Sequence, residues 1–151
     1  MTANQQRDLH GLRALVTGAT SGLGRAIAVQ LARDGADVTV HGRDAARGVQ
    51  VVEEIQLQGG SADFVAADLN DAASVTRLAQ EVGDIDILVN NAGFAVWGPT
   101  ETFDIGSFDA MFAANVRAPF FLVSALAPGR FAVTRIVGIS TCGTPAIGSR
   151  I

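Results

Sequence analysis

The chain has no tyrosine and no lysine, so all 11 of its cationic residues are arginines. Within these residues, acid, base or nucleophilic chemistry through a phenol or an ε-amine is excluded. There is one cysteine, Cys142, which excludes an internal disulfide. No histidine or acid stands beside it to favour the thiolate, so it reads as a small packing residue. Long apolar runs are also missing: the longest, Ala118–Leu126, is too short to cross a bilayer, and Met1 to His10 is polar rather than a signal-peptide core. Positive charge is in deficit, with a net charge of -4 and a pI near 5.0, which removes the electrostatic basis for holding nucleic acid or an anionic membrane. Small molecules or other proteins are the expected partners, and a soluble, cytoplasmic protein is the expectation. No metal ligands are assigned.

What the chain does have is glycine, 17 residues of it, and their placement is informative. Ala14-Leu15-Val16 is a short apolar run that enters Thr17-Gly18-Ala19-Thr20-Ser21-Gly22-Leu23-Gly24, and Arg25 to Leu31 follows at helical spacing. A strand therefore runs through a glycine-rich turn into a helix. In that context Gly18 takes the sharp turn, Gly22 puts no side chain between backbone N–H groups and a pyrophosphate, and Gly24 lets the helix lie close to the strand. The helix N-terminus adds partial positive charge. The turn is thus a candidate dinucleotide cradle.

The rest of the chain alternates strand and helix. Val38 to His41 reads as strand two; Asp44 begins a helix with Val51, Val52 and Ile55 in an apolar stripe, closed by Gly59-Gly60. Ala62 to Ala67 is strand three, and Asp71 caps a third helix carrying Val75, Leu78, Ala79 and Val82 at i, i+3, i+4 and i+7. Ile85 to Val89 is strand four. A fourth helix, about Ile105 to Leu126, is expected to pack through Phe108, Met111, Phe112 and Val116, with a kink at Pro119. Arg135 to Ile139 is strand five. Strands separated by helices need right-handed crossovers, so the expected fold is α/β, a Rossmann-type doubly wound parallel sheet in a single domain over residues 1–151. The pattern stops after about the fifth strand, which reads as a truncated or incomplete domain.

These residues carry a resemblance to the N-terminal part of the classical short-chain dehydrogenase/reductase family, from Leu12 to about Thr141. The T-G-x-x-x-G-x-G loop is Thr17 to Gly24, the acid after strand three is Asp68, the N-N-A-G segment is Asn90 to Gly93, and the helix-four asparagine is Asn115. The resemblance implies a cofactor site on Gly18, Ser21, Gly22, Leu23, Gly24, Arg43, Asp68, Leu69, Asn90, Ala92 and Gly93. Asp68 would bond the adenine, although an acid beside Asn70 and Asp71 also fits a plain turn. Asn91 is open to a second role, holding neighbouring strands. His41 fits either adenine stacking or simple packing. In the family an acid closing strand two selects NAD; here Gly42 and Arg43 stand there, which favours NADP over NAD unless Arg43 merely pairs with Asp44.

The family transfers hydride between nicotinamide and a carbonyl or alcohol, using a tyrosine, a lysine, a serine and an asparagine. Asn115 fits the asparagine. The serine falls on Ser140 or on Thr141, depending on whether one counts back from Gly143 or forward from strand five, with Ser140 preferred. The tyrosine and lysine would fall after Ile151. Three readings stand: an NADP-dependent oxidoreductase by ancestry whose chain is inactive alone, a dinucleotide-binding module without catalysis, and a nonfunctional truncated or frameshifted product. Phe94, Val96, Trp97 and Pro99 either line a substrate pocket or pack a loop. A homo-oligomer is left open, because the family often dimerises through its fourth helix and one that would follow Ile151.

Overall fold

A computed structural model describes residues 9–127 and 135–138. Five parallel strands, β1 (Arg13–Val16), β2 (Asp37–Gly42), β3 (Ser61–Ala66), β4 (Ile87–Asn90) and β5 (Arg135–Gly138), form one sheet in the order β3-β2-β1-β4-β5. The crossovers are α1 (Gly22–Arg33), α2 (Ala45–Leu57), α3 (Ala72–Val82) and a helical stretch before β5, consisting of α4 (Ile105–Phe112), a π-helical turn (Ala113–Arg117) and α5 (Ala118–Leu126). This is the doubly wound Rossmann-type arrangement expected from the alternation. The strand order reverses between β1 and β4, which opens a crevice at their carboxyl ends.

Register aligns those ends. Val16 lies beside Val40 on one side and Val89 on the other, and Gly42 beside Ala66. Both faces of the sheet are covered, and this explains why β1 reads as an unbroken apolar run. Ala14 and Val16 pack with Val29, Val38, Val40, Val51 and Ile55 beneath α1 and α2. Leu15, between them, points to the other face and joins Leu78, Val82, Leu88 and Leu122.

Local signals explain the helix starts. Asp44 accepts a hydrogen bond from the Arg47 N–H at 3.1 Å, and Asp71 accepts from Ala73 and Ser74 at 3.3 and 2.9 Å, each satisfying orphan donors of a first turn. The Ser74 N–H and hydroxyl also hold the Asp71 carboxyl below its ordinary pKa. The predicted stripe of α3 is buried throughout. Strand bounds shift by a residue or two: Ile85 is buried but precedes β4. Among the described residues no helix is long and apolar enough to cross a membrane.

The fourth helix departs from expectation in two ways. Phe108, Phe112 and Val116 are about half exposed, while Ala113, Ala114, Ala118 and Leu122 are buried, Ala118 and Leu122 completely or nearly so. Apolar residues encircle this segment, so periodicity does not select a face; small alanines do, because they let the helix approach α3 and the sheet closely. The irregularity also lies before Pro119 rather than at it. The Ala118 N–H donates to the Ala113 carbonyl, five residues back, which makes the π turn. Pro119 then sits at the start of α5, where a missing N–H is tolerated, but the Asn115 carbonyl loses its α-helical donor.

Two substitutions check this corrected face. Leu122→Ala is expected to cost about 2–5 kcal/mol by urea unfolding, as for any well-packed core leucine. Ile105→Ala, on a residue 78% exposed, should stay within about 0.5 kcal/mol of wild type. Equal losses for the two would mean the helix packs through another face.

Candidate functional site

The end of β1 is clamped from both sides. On the β4 side the Thr17 hydroxyl donates to the Val89 carbonyl at 3.3 Å and accepts from the N–H groups of Asn91 and Ala92, each at 3.0 Å. The Asn91 side-chain amide donates to the carbonyls of Thr17 and Gly18 at 3.0 and 3.2 Å. Asn91 therefore ties the glycine turn to the exit of β4, the strand-holding role that is one of the two open to it from the sequence. The Thr17 clasp was not anticipated from sequence; its signal is a threonine with no solvent to face, between an apolar strand and a glycine.

On the β2 side His41 does similar work. The Gly18 N–H donates to His41 Nδ1 at 3.3 Å, and Nε2 lies 3.2 Å from the Ala67 carbonyl, while the Ala19 N–H donates to the His41 carbonyl at 2.8 Å. A donor at Nδ1 and an acceptor at Nε2 require the neutral tautomer protonated on Nε2. The ring is 2% exposed, and burial lowers its pKa to about 4. His41 is thus a packed cross-brace between the turn and β3.

Held this way, the turn must be glycine where it touches β4. Gly18 has φ +66°, and a Cβ there would lie 2.8 Å from Ala92 Cα; at Gly24 one would lie 2.4 Å from both Asn91 Nδ2 and the Gly18 carbonyl oxygen. Gly22 differs: its φ is +55°, but a Cβ would meet nothing within 4 Å, so open space adjoins the start of α1. Ser21 at the N-cap makes no side-chain cap bond, and the first turn carries no acid. That end of α1 is left as a site for negative charge.

A cavity of about 350 Å³ runs from this turn across the carboxyl ends of β2, β3 and β4. Of the residues singled out in the sequence, it brings together Gly18, Ser21, Leu23, Gly24, Arg43, Asp68, Leu69, Ala92 and Gly93, with His41 and Asn91 also in its wall. Arg43 is exposed and has no ion-pair partner among the described residues, because Asp44 pairs with Arg47 at 3.3 Å instead. Asp68 accepts from the Asn70 N–H at 3.0 Å through Oδ1, a turn bond that leaves Oδ2 unengaged among the described residues. Leu69 is 6% exposed and also belongs to the core.

Gly22, Asn90 and Asn115 do not line the cavity. Asn90 is 8% exposed, and its Oδ1 is buried with no partner among the described residues. Asn115 uses both ends of its amide on one residue, accepting from the Phe94 N–H at 3.0 Å and donating to the Phe94 carbonyl at 2.8 Å. It thereby pins the chain leaving β4. Phe94, partly exposed, joins the cavity wall, and Val96 and Trp97 beyond it are exposed. Ser140, Thr141 and Cys142 lie outside the described residues.

The sequence profile described as short chain dehydrogenase matches residues 13–144. The chain belongs to that family. It is 42% identical over 121 residues to a hydroxynaphthalene reductase-like protein of Metarhizium majus, covering 77% of this chain and 45% of that protein. It also resembles the crystal structure of a metagenomic short-chain oxidoreductase in complex with NADP, at 40% identity and a TM-score of 0.78, covering 80% of this chain and 57% of that one. A blue fluorescent protein from a metagenomic library, solved in complex with NADPH, matches at 33% identity and a TM-score of 0.83, covering 89% and 57%. The chain spans about half the length of the curated relatives it matches.

His41 gives the site a pH signature. Its folded pKa of about 4 lies below the unfolded value near 6.5, so the unfolded chain takes up the proton first. Stability from this residue is full above about pH 6.5 and falls by up to about 1.4 kcal/mol per pH unit down to about pH 4. Urea midpoints of wild type and His41→Gln across that window should show a flatter profile in the variant. Parallel profiles would mean the imidazole is not held neutral in the fold.

Proposed function

We propose that this chain binds a nicotinamide dinucleotide along the crevice, NADP(H) in preference to NAD(H), and that in the whole protein the site serves hydride transfer to or from a carbonyl or alcohol. The observation that carries the reading is Arg43: an exposed arginine on the cavity wall with no ion-pair partner among the described residues, preceded by a glycine where a carboxylate would select NAD, on the same cavity as the uncapped start of α1. The NADP and NADPH complexes of the family's solved structures support it.

The residues present fit such a ligand. The start of α1, with Ser21 and Leu23 beside it, would receive the pyrophosphate, and the open space at Gly22 leaves room for it. Arg43 would grip the ribose phosphate through paired charge-assisted bonds, and Oδ2 of Asp68 would accept from the adenine. Leu69 closes the adenine end, and Asn90, Ala92 and Gly93 shape the exit of β4 on the nicotinamide side. When bound, the nicotinamide would supply the hydride to a carbonyl or accept it from an alcohol. Asn115 fixes the loop that would face the substrate, and its backbone carbonyl, deprived of a helical donor by Pro119, is the group through which it would hold a water. Ser140 is the residue we assign to orienting the substrate oxygen. The exposed stripe of Ile105, Phe108, Phe112 and Phe120 suits an interface with a second copy.

Two outcomes test the reading. Titration should show tighter binding of NADPH than NADH, and Arg43→Ala should erase most of a difference of about ten- to a hundredfold, the value of a charge-assisted pair. Equal wild-type affinities would refute the preference. Separately, the 151 residues alone should not oxidise NADPH with ketones, aldehydes or quinones above the cofactor-only control. A positioned general acid contributes about 10²–10⁴-fold, and neither described histidine is placed to be one: His41 is neutral with both ring nitrogens engaged, and His10 packs beside Gly35 ahead of β1. Robust turnover abolished by Ser140→Ala would require a different proton donor.

A further inference from the structure

Gly42, the last residue of β2, is held to glycine, as Gly24 is, by what stands beside it rather than by its backbone conformation. Its φ is not positive, so the backbone would accept any residue. What forbids a side chain is Thr20. A Cβ built on Gly42 would lie 2.4 Å from Thr20 Cγ2, 3.0 Å from its Oγ1 and 3.3 Å from its Cβ.

A rotamer change does not fully relieve this, and a backbone shift would pull on the bonds that hold the turn. Threonine carries two heavy atoms in three staggered positions. Rotating hydrogen into the 2.4 Å place moves Cγ2 into the 3.0 Å place, and the other rotation puts Oγ1 at 2.4 Å, so every rotamer leaves a heavy atom at about 3.0 Å or closer. The backbone of residue 20 follows directly on Gly18 and Ala19, whose N–H groups are bonded to His41 Nδ1 and to the His41 carbonyl. His41 is itself the neighbour of Gly42. The same bonds that hold the turn therefore hold Thr20 over Gly42.

The geometry points to Thr20 as a coenzyme-specificity residue that acts by occupancy: its side chain closes the end of β2 to a carboxylate, leaving Arg43 unopposed at the cavity wall. This rests on the reading of the crevice as a dinucleotide site. An acid at position 42 would bond the ribose hydroxyls of NAD and repel the extra phosphate of NADP, so excluding it works against the wrong coenzyme rather than for the right one. Preference then belongs to the pair Thr20 and Gly42 as much as to Arg43, and an aspartate placed at 42 alone displaces the turn instead of switching the coenzyme.

The test is a double-mutant cycle read by binding and by melting, with wild type, Thr20→Ala, Gly42→Asp and the double variant titrated with NADPH and NADH. Gly42→Asp alone is expected to weaken both coenzymes by about tenfold or more, through overpacking of the turn. In Thr20→Ala/Gly42→Asp, NADH binding should return while NADPH stays weakened by about tenfold or more through like-charge repulsion, reversing the preference. Should Gly42→Asp fail to fold, Gly42→Ala carries the steric claim: its thermal midpoint should drop by about 3 °C or more, and Thr20→Ala should restore most of the loss. The proposal is overturned if Gly42→Asp alone gains as much NADH affinity as the double variant, or if Gly42→Ala melts with wild type. A wild type that binds neither coenzyme would instead bring down the dinucleotide reading, an outcome the Gly42→Ala midpoint does not imitate.

Discussion

The site depends on one constraint: the backbone that leaves β1 is fixed to strands on both sides before it turns. Thr17 spends its hydroxyl on three backbone groups of β4 and its exit, Asn91 returns two amide bonds to the turn, and His41 accepts from the turn on the β2 side. These groups are largely shielded from water, so each bond replaces a donor or acceptor that would otherwise stay unsatisfied at a cost of about 1–3 kcal/mol. The neutral state of His41 follows from the same shielding. A turn held less firmly could drift away from the start of α1, and the open N–H groups there would lose their fixed aim.

That rigidity also converts small residues into requirements. Gly18 and Gly24 are glycines because Ala92 and Asn91 stand where a Cβ would go, and Gly42 because Thr20 does. None of these contacts is with a ligand. They bring β1, β2 and β4 close enough that a single cavity touches the helix start, Arg43, Asp68 and the exit of β4. On a chain of net charge -4, an uncapped helix start and an arginine with no ion-pair partner among the described residues share one cavity, a local positive exception.

Parts of this were legible in the sequence. The acids at 44 and 71 announced two helix starts, and the i, i+3, i+4, i+7 spacing of Val75, Leu78, Ala79 and Val82 named the buried face of α3, because polar residues fill its other side. The segment 105–126 offered no such contrast. With phenylalanines and alanines all around it, the phenylalanines looked like core, whereas the structure gives the core to the alanines and Leu122. The π turn was hidden as well: Pro119 signalled a disturbance, but the shift in bonding falls in the turn ahead of it.

Sequence by itself determined the alternation of strand and helix, the strand-to-helix glycine turn and the family, since each is read from short motifs in chain order whose local geometry leaves few choices. Tertiary structure alone decided what Asn115, Thr17 and His41 do. Asn115 meets Phe94 across 21 residues, His41 reaches Gly18 across 23, and Thr17 reaches Ala92 across 75. A side chain's hydrogen-bonding partner, unlike its helical or strand preference, is selected by which distant backbone groups the packed sheet leaves unsatisfied beside it, and that selection exists only once the strands have been brought together.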